Sequence, residues 1–176
     1  MSPESIESHN KVKTAVTAAV FNIVERRNLG EVYSDRTLLT HPGAGFSTEP
    51  DLCFATWETL TSRRLRFKPR AQRVEEAKEL VGTPDLVVEI VSDSSVHKDL
   101  RSLRGAYARA GIPEYWLIDA RASRIEFTVL RLTSGKYSPG APVGRPQPSR
   151  VLGAKFRLTR AKNPAGNWTY RLTTVR

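Results

Sequence analysis

Thiols, long apolar runs and signature loops are almost missing from this chain. Its one cysteine, Cys53, rules out an internal disulfide and any cysteine-built metal site. No apolar stretch approaches the roughly 20 residues of a spanning helix, and the polar opening MSPESIESHN is no signal peptide. A membrane partner is thereby excluded and a cytoplasmic, reducing setting expected. Gly-rich phosphate loops, a GxSxG elbow, Cys/His metal spacings and internal repeats are absent as well. Acidic residues give out early: Glu126 is the last. From there the ten basic residues between Arg131 and Arg176 carry the whole formal charge of +10, and the preceding residues balance to zero. Such one-sided charge is the footprint of a phosphate-bearing partner, nucleic acid rather than acidic protein. A solubilising basic tail explains the charge equally well.

What is present has the proportions of an ordinary globular protein, with 39% apolar and 26% charged residues. Its 176 residues suffice for one domain with a real core. Residues 1–160 are expected to form it, with 161–176 as a basic C-terminal tail.

The most informative stretch is PDLVVEIVSDSSVHKDLRSLRGAYARAGIPEYWLID, which reads as strand, turn, helix, turn, strand. Leu86 to Val91 is apolar and β-branched, as in a strand covered on both faces, except at Glu89. An ionised carboxylate in a dry strand is costly unless a cation or hydrogen-bond donors meet it. Glu89 is therefore the leading functional residue. Asp93, Ser94 and Ser95 offer N-cap oxygens to the helix that follows, and Gly111 with Pro113 stops it. Leu100, Leu103, Tyr107 and Ala110 form its apolar stripe. A strand–helix–strand succession implies parallel pairing of the two strands.

Upstream, Val12, Val16, Val20, Ile23 and Val24 share one face of a helix over 6–27, stopped by Gly30. His9, near its start, is more simply a surface residue than a catalytic one. EVYSDRTLLT suits a strand, and DLCFAT begins another at Asp51. Asp85 shares Glu89's face, but four residues at about 3.3 Å each put the two about 13 Å apart, too far for one metal. Asp51 on a neighbouring strand is the natural second carboxylate. Residues 57–83, with cations from Arg63 to Arg73, fit a phosphate-contacting surface or a solvated helix or loop. Ser134-Gly135 marks a hairpin, 139–148 a proline-rich linker, and 152–159 an edge strand. Trp168 and Tyr170 would dock on the body or stack on a base.

Together TPDLVVEIVSDSS, Asp99 followed eight residues later by Tyr107, ARAGIPEYWLID, EPDLCF, His9 and VLGAKFRLT resemble the Uma family. Those are bacterial proteins, abundant in cyanobacteria, assigned as candidate endonucleases of the PD-(D/E)xK, restriction-endonuclease-like superfamily. The resemblance spans about residues 9–160. Members usually carry a further N-terminal segment, which this sequence does not show. The resemblance implies an α/β fold: a restriction-endonuclease-like core, a mixed central sheet flanked by helices, and a C-terminal β-hairpin extension. It implies a Mg²⁺- or Mn²⁺-dependent endonuclease acting on DNA, with Asp51 and Glu89 holding the metal, and by analogy a homodimer. The family's lysine is not two residues after the glutamate, where Val91 stands. It lies on the following helix, four residues after the position of Asp99, and Leu103 occupies that place here. Lys98 and Arg104 are the candidates to substitute for its charge. Without a substitute the chain would be a catalytically inactive nucleic-acid-binding protein retaining the nuclease fold. A third possibility is a structural protein whose basic tail meets an acidic partner.

Overall fold

Four valines at helical spacing start the fold. In the computed structural model, which describes residues 5–34, 36–69, 77–92 and 102–175, a π-helical turn (Ile6–Asn10) leads into α1 (Lys11–Arg27). Val12, Val16, Val20 and Val24 are all buried on α1's inner stripe. Asn28, in the left-handed conformation, caps the helix, so the stop comes before Gly30. Gly30 instead opens the first strand, where a β-carbon would collide with the Ala55 carbonyl.

The order continues β1 (Gly30–Ser34), β2 (Leu38–His41), β3 (Phe46–Thr48), β4 (Leu52–Thr56), α2 (Trp57–Thr61), β5 (Leu65–Phe67) and β6 (Glu79–Gly82). Then come β7 (Leu86–Ile90), α3 (Arg104–Arg109), β8 (Glu114–Asp119), β9 (Glu126–Thr133) and β10 (Lys136–Pro139). The chain closes with β11 (Gln147–Ser149), β12 (Ala154–Lys162) and β13 (Trp168–Val175).

Six strands form the central sheet in the order β1-β4-β7-β8-β9-β10. β7 and β8 pair in parallel, as the strand–helix–strand pattern predicts, and their neighbours pair antiparallel, so the sheet is mixed. Along β7, Leu86, Val88 and Ile90 enter one core with α1, Trp116, Phe156 and Leu172. Val87, between them, enters a second core with α3's Tyr107 and with Leu39, Leu65 and Leu80. Strand alternation thus delivers every second residue to opposite layers, and both faces are covered.

Two buried polar side chains tie the C-terminal strands to this sheet. Glu114 accepts hydrogen bonds from Trp116 Nε1 (2.7 Å) and from the Arg150 and Val151 N–H groups (2.9 and 3.4 Å). Gln147, fully buried, accepts from the Val129 N–H and donates to the carbonyls of Pro142 and Arg145. Buried polar groups need such partners, and these also fix where 142–151 runs.

Several expectations change. EVYSDRTLLT is two strands in different sheets, because β2 leaves β1's sheet to join the four-stranded sheet β3-β2-β6-β5. Of residues 57–83, those described contribute the short helix α2 and the strands β5 and β6, while 70–76, with Arg70 and Arg73, lie outside the described residues. The proline-rich 139–148 stretch is pinned by Gln147 rather than free. β12 is the middle strand of the sheet β11-β12-β13, not an edge. Much of the expected tail is β13, paired with β12 from Val175 back to Trp168. Trp168 docks: its N–H donates to Glu7 (2.9 Å), its carbonyl accepts from Lys11 (3.0 Å), and Arg160 and Lys162 lie over its ring. The Ser134-Gly135 hairpin between β9 and β10 is present as predicted, both residues at positive φ.

Candidate active site

The β4–β7 register pairs Leu52 with Val88, so one step further sets Asp51 opposite Glu89. Side chains at facing positions of adjacent strands lie on one side of a sheet, with β-carbons about 5 Å apart. Glu89 shares its face with Val87 and is 6% exposed. The Tyr107 hydroxyl, brought over the sheet by α3, donates to Glu89 Oε1 at 2.6 Å. Asp51 stands just ahead of β4. Its Oδ2 accepts the Ile90 N–H at 2.7 Å, which fastens the entrance of β4 to β7. Its Oδ1 faces α1's first turn: His9 Nε2 lies at 3.3 Å and Lys13 Nζ at 3.6 Å. His9 is only 2% exposed, which overturns the surface reading.

Helix geometry explains the last pair. His9 and Lys13 are four residues apart, so they stand one above the other on the same flank. That flank overhangs the strand end, while the neighbouring Val12 and Val16 point into the core.

Asp85 has other work at the far end of β7. It accepts from the Thr56 N–H (2.7 Å) and hydroxyl (3.0 Å) and pairs with Arg64. Arg104 is not brought to the carboxylates, since its guanidinium donates to the Tyr137 carbonyl at 2.7 Å. Tyr137 belongs to β10, three strands from β7 at about 4.8 Å per strand. Leu103 is buried in the second core. Lys98 lies outside the described residues. Tyr107 was visible in the sequence as an apolar-stripe position and as part of the family motif, with no role attached, and Lys13 lies off the valine stripe of α1 with nothing in the sequence to single it out.

Cys53, two residues along β4 from Asp51, is fully buried. Burial, with the Glu89 charge adding to it, pushes its thiol up to about 12. At pH 8 about one part in 10⁴ is thiolate, so an aromatic disulfide reagent is expected to leave Cys53 unmodified until denaturant opens the core. Fast release of the reagent's chromophore from the native protein would contradict this burial. Because the folded-state value is raised, the stability it lends is complete below pH about 9 and is lost as pH climbs toward 12.

Among the described residues no three His, Cys, Asp or Glu side chains converge to hold an ion. The two facing carboxylates are hard oxygen donors, and Mg²⁺ typically takes one or two of these, completing its shell with water and phosphate oxygens. In donor chemistry the pair fits such an ion.

A solved structure shares the architecture: the crystal structure of a putative nuclease belonging to DUF820 from Anabaena variabilis ATCC 29413. It matches at TM-score 0.62 and 16% identity, over 87% of this chain and 76% of that one, a likeness of fold. This is an α/β protein of the restriction-endonuclease-like kind. The Uma2 family model, described as putative restriction endonuclease, matches residues 1–160, and the chain belongs to that family. No protein of curated function matches. Membership places the chain among nucleases and implies a nucleic-acid partner. Among the described residues no helix is long and apolar enough to cross a membrane.

Proposed function

We propose that this protein is a metal-dependent endonuclease that hydrolyses phosphodiester bonds of DNA. The observation that carries the reading is Glu89, a carboxylate kept in an otherwise apolar buried strand, with Asp51 one position beyond the β4–β7 register across from it. Asp51 and Glu89 would hold Mg²⁺ or Mn²⁺, which when bound lowers the pKa of a coordinated water and offsets charge on the phosphate. The chain's own groups prepare that site. The Tyr107 hydroxyl fixes one oxygen of Glu89, and the Ile90 N–H fixes one of Asp51. In the reaction the water oxygen bonds to phosphorus, one P–O ester bond breaks, and the proton released by water ends on the departing oxygen.

The outward face of β12–β13 supports the DNA reading. Phe156, Leu158 and Leu172 face the core, so alternation and register turn Lys155, Arg157 and Arg171 together to solvent. Among the described residues none pairs with these three side chains, whereas Arg160, Arg131 and Arg27 are bound to backbone carbonyls. Removing all three charges is expected to flatten the log K versus log salt slope for duplex DNA by about 3, since each phosphate contact contributes about 0.9. Retention assays across a salt series would measure it. An unchanged slope would move the DNA elsewhere.

Plasmid nicking by the purified protein, with and without Mg²⁺, tests the activity. A second reading, the catalytically inactive nucleic-acid-binding protein, is favoured by Leu103 at the family's lysine position and by Arg104's attachment to β10. DNA retained without nicking under any divalent ion would select it.

A further inference from the structure

We infer that Lys13, on α1, supplies to the Asp51–Glu89 centre the fixed positive charge that Leu103 does not. This rests on the nuclease reading and deepens it. A pair of facing carboxylates repels an incoming phosphodiester, and the transition state gathers further negative charge on the phosphate oxygens. A cation already held beside the pair counters both without having to reorganise. The described cations sort themselves by position. Arg104 is spent on the Tyr137 carbonyl, Arg64 on Asp85, and Lys11 on Glu7 and the Trp168 carbonyl. Lys13 Nζ stands 3.6 Å from Asp51 Oδ1, and its side chain is 19% exposed, shielded yet open on one side.

The fold accounts for a lysine there. With Val12 and Val16 anchored in the core, residue 13 falls on the flank of α1 over the entrance of β4. His9, one turn earlier and almost sealed, occupies the rest of Asp51 Oδ1's surroundings. A long flexible amine can keep its ion pair with Asp51 while swinging to donate to a phosphate oxygen. No bond to Lys13 forms or breaks. It donates hydrogen bonds while water's oxygen joins phosphorus and the ester oxygen departs with the proton.

Lys13→Met keeps the stem and removes the charge, and Lys13→Arg keeps the charge. Arg26→Ala, at the far end of α1 and about 20 Å away along the axis, controls for the loss of one positive charge. Under saturating plasmid and Mg²⁺, Lys13→Met is expected to nick 10²-fold more slowly or worse, with KM for plasmid within about threefold. Lys13→Arg should recover part of the rate, and Arg26→Ala should match wild type. Mn²⁺ binding, followed by loss of the free-ion paramagnetic resonance signal without DNA, should be as tight in Lys13→Met or tighter, since a competing cation is gone. Wild-type turnover in Lys13→Met would overturn the inference and leave the nuclease reading standing. So would a rate loss matched by weaker Mn²⁺ binding, which would make Lys13 only a brace for Asp51. A wild-type protein that never nicks would take both down.

Discussion

Glu89→Ala is expected to remove metal-dependent nicking altogether, by about 10³-fold or more, while DNA retention stays near wild type. The size follows from what is lost. A metal-held charge stabilises a phosphoryl transition state by several kcal/mol, and each 1.36 kcal/mol is tenfold in rate. Among the described residues Glu89 is one of two carboxylates at that point, so its substitution removes half of those oxygen donors. The proposed retention surface, by contrast, lies on β12–β13, a sheet that does not contain Glu89. Glu89→Ala also strands the Tyr107 hydroxyl, which donates to Glu89 at 2.6 Å, at a cost of about 1–3 kcal/mol. Glu89→Gln is therefore the companion variant: it keeps the volume and an acceptor for Tyr107 and withdraws the charge. Both should be inactive, and Glu89→Gln should melt closer to wild type. Equal nicking by wild type and either variant would remove Glu89 from the active centre.

The largest stability loss should come from Trp116→Ala. Trp116 is fully buried, with its ring 5.3 Å from Phe127 and 5.0 Å from Phe156, and its indole N–H donates to the buried Glu114. Truncating a buried tryptophan typically removes about 3–5 kcal/mol, against about 5–15 kcal/mol of total stability for a domain. Here Glu114 also loses its indole donor while remaining bound to the Arg150 and Val151 N–H groups. The variant is expected to be largely unfolded at 37 °C or to show a urea midpoint shifted down by more than a third. Trp116→Phe, which keeps most of the ring but not the donor, should lose less than half as much. A urea midpoint for Trp116→Ala within experimental error of wild type would mean that β12 does not dock on β8 through this ring.

The elements visible in the sequence were those whose residues repeat a pattern over enough length. Five apolar or β-branched positions around Glu89 mark β7, and four valines mark α1. The four-stranded sheet was hidden because β2, β3, β5 and β6 are each only three or four residues long, too short for alternation to stand out from a loop. β13 looked like a tail because only Leu172 among its residues is buried; its partner β12 and the α1 contact, not its own composition, hold it. The site divides the same way. Glu89 was legible as one acid out of place, and Asp51 as a carboxylate at a strand entrance. Lys13 was not, since its role depends on where the flank of α1 lands over a strand 38 residues later.

The contact between α1 and β13 has a consequence for how the protein is made. Val12, Val16, Val20 and Val24 leave the ribosome early, yet Phe156, Leu158 and Leu172, which share their core, follow more than 130 residues later. At about 5–20 residues per second that is on the order of 7–30 s of translation during which a greasy helix waits for its cover. Holdase chaperones should therefore govern the yield of this protein in cells, and slowing synthesis without supplying them should send more of it to inclusion bodies.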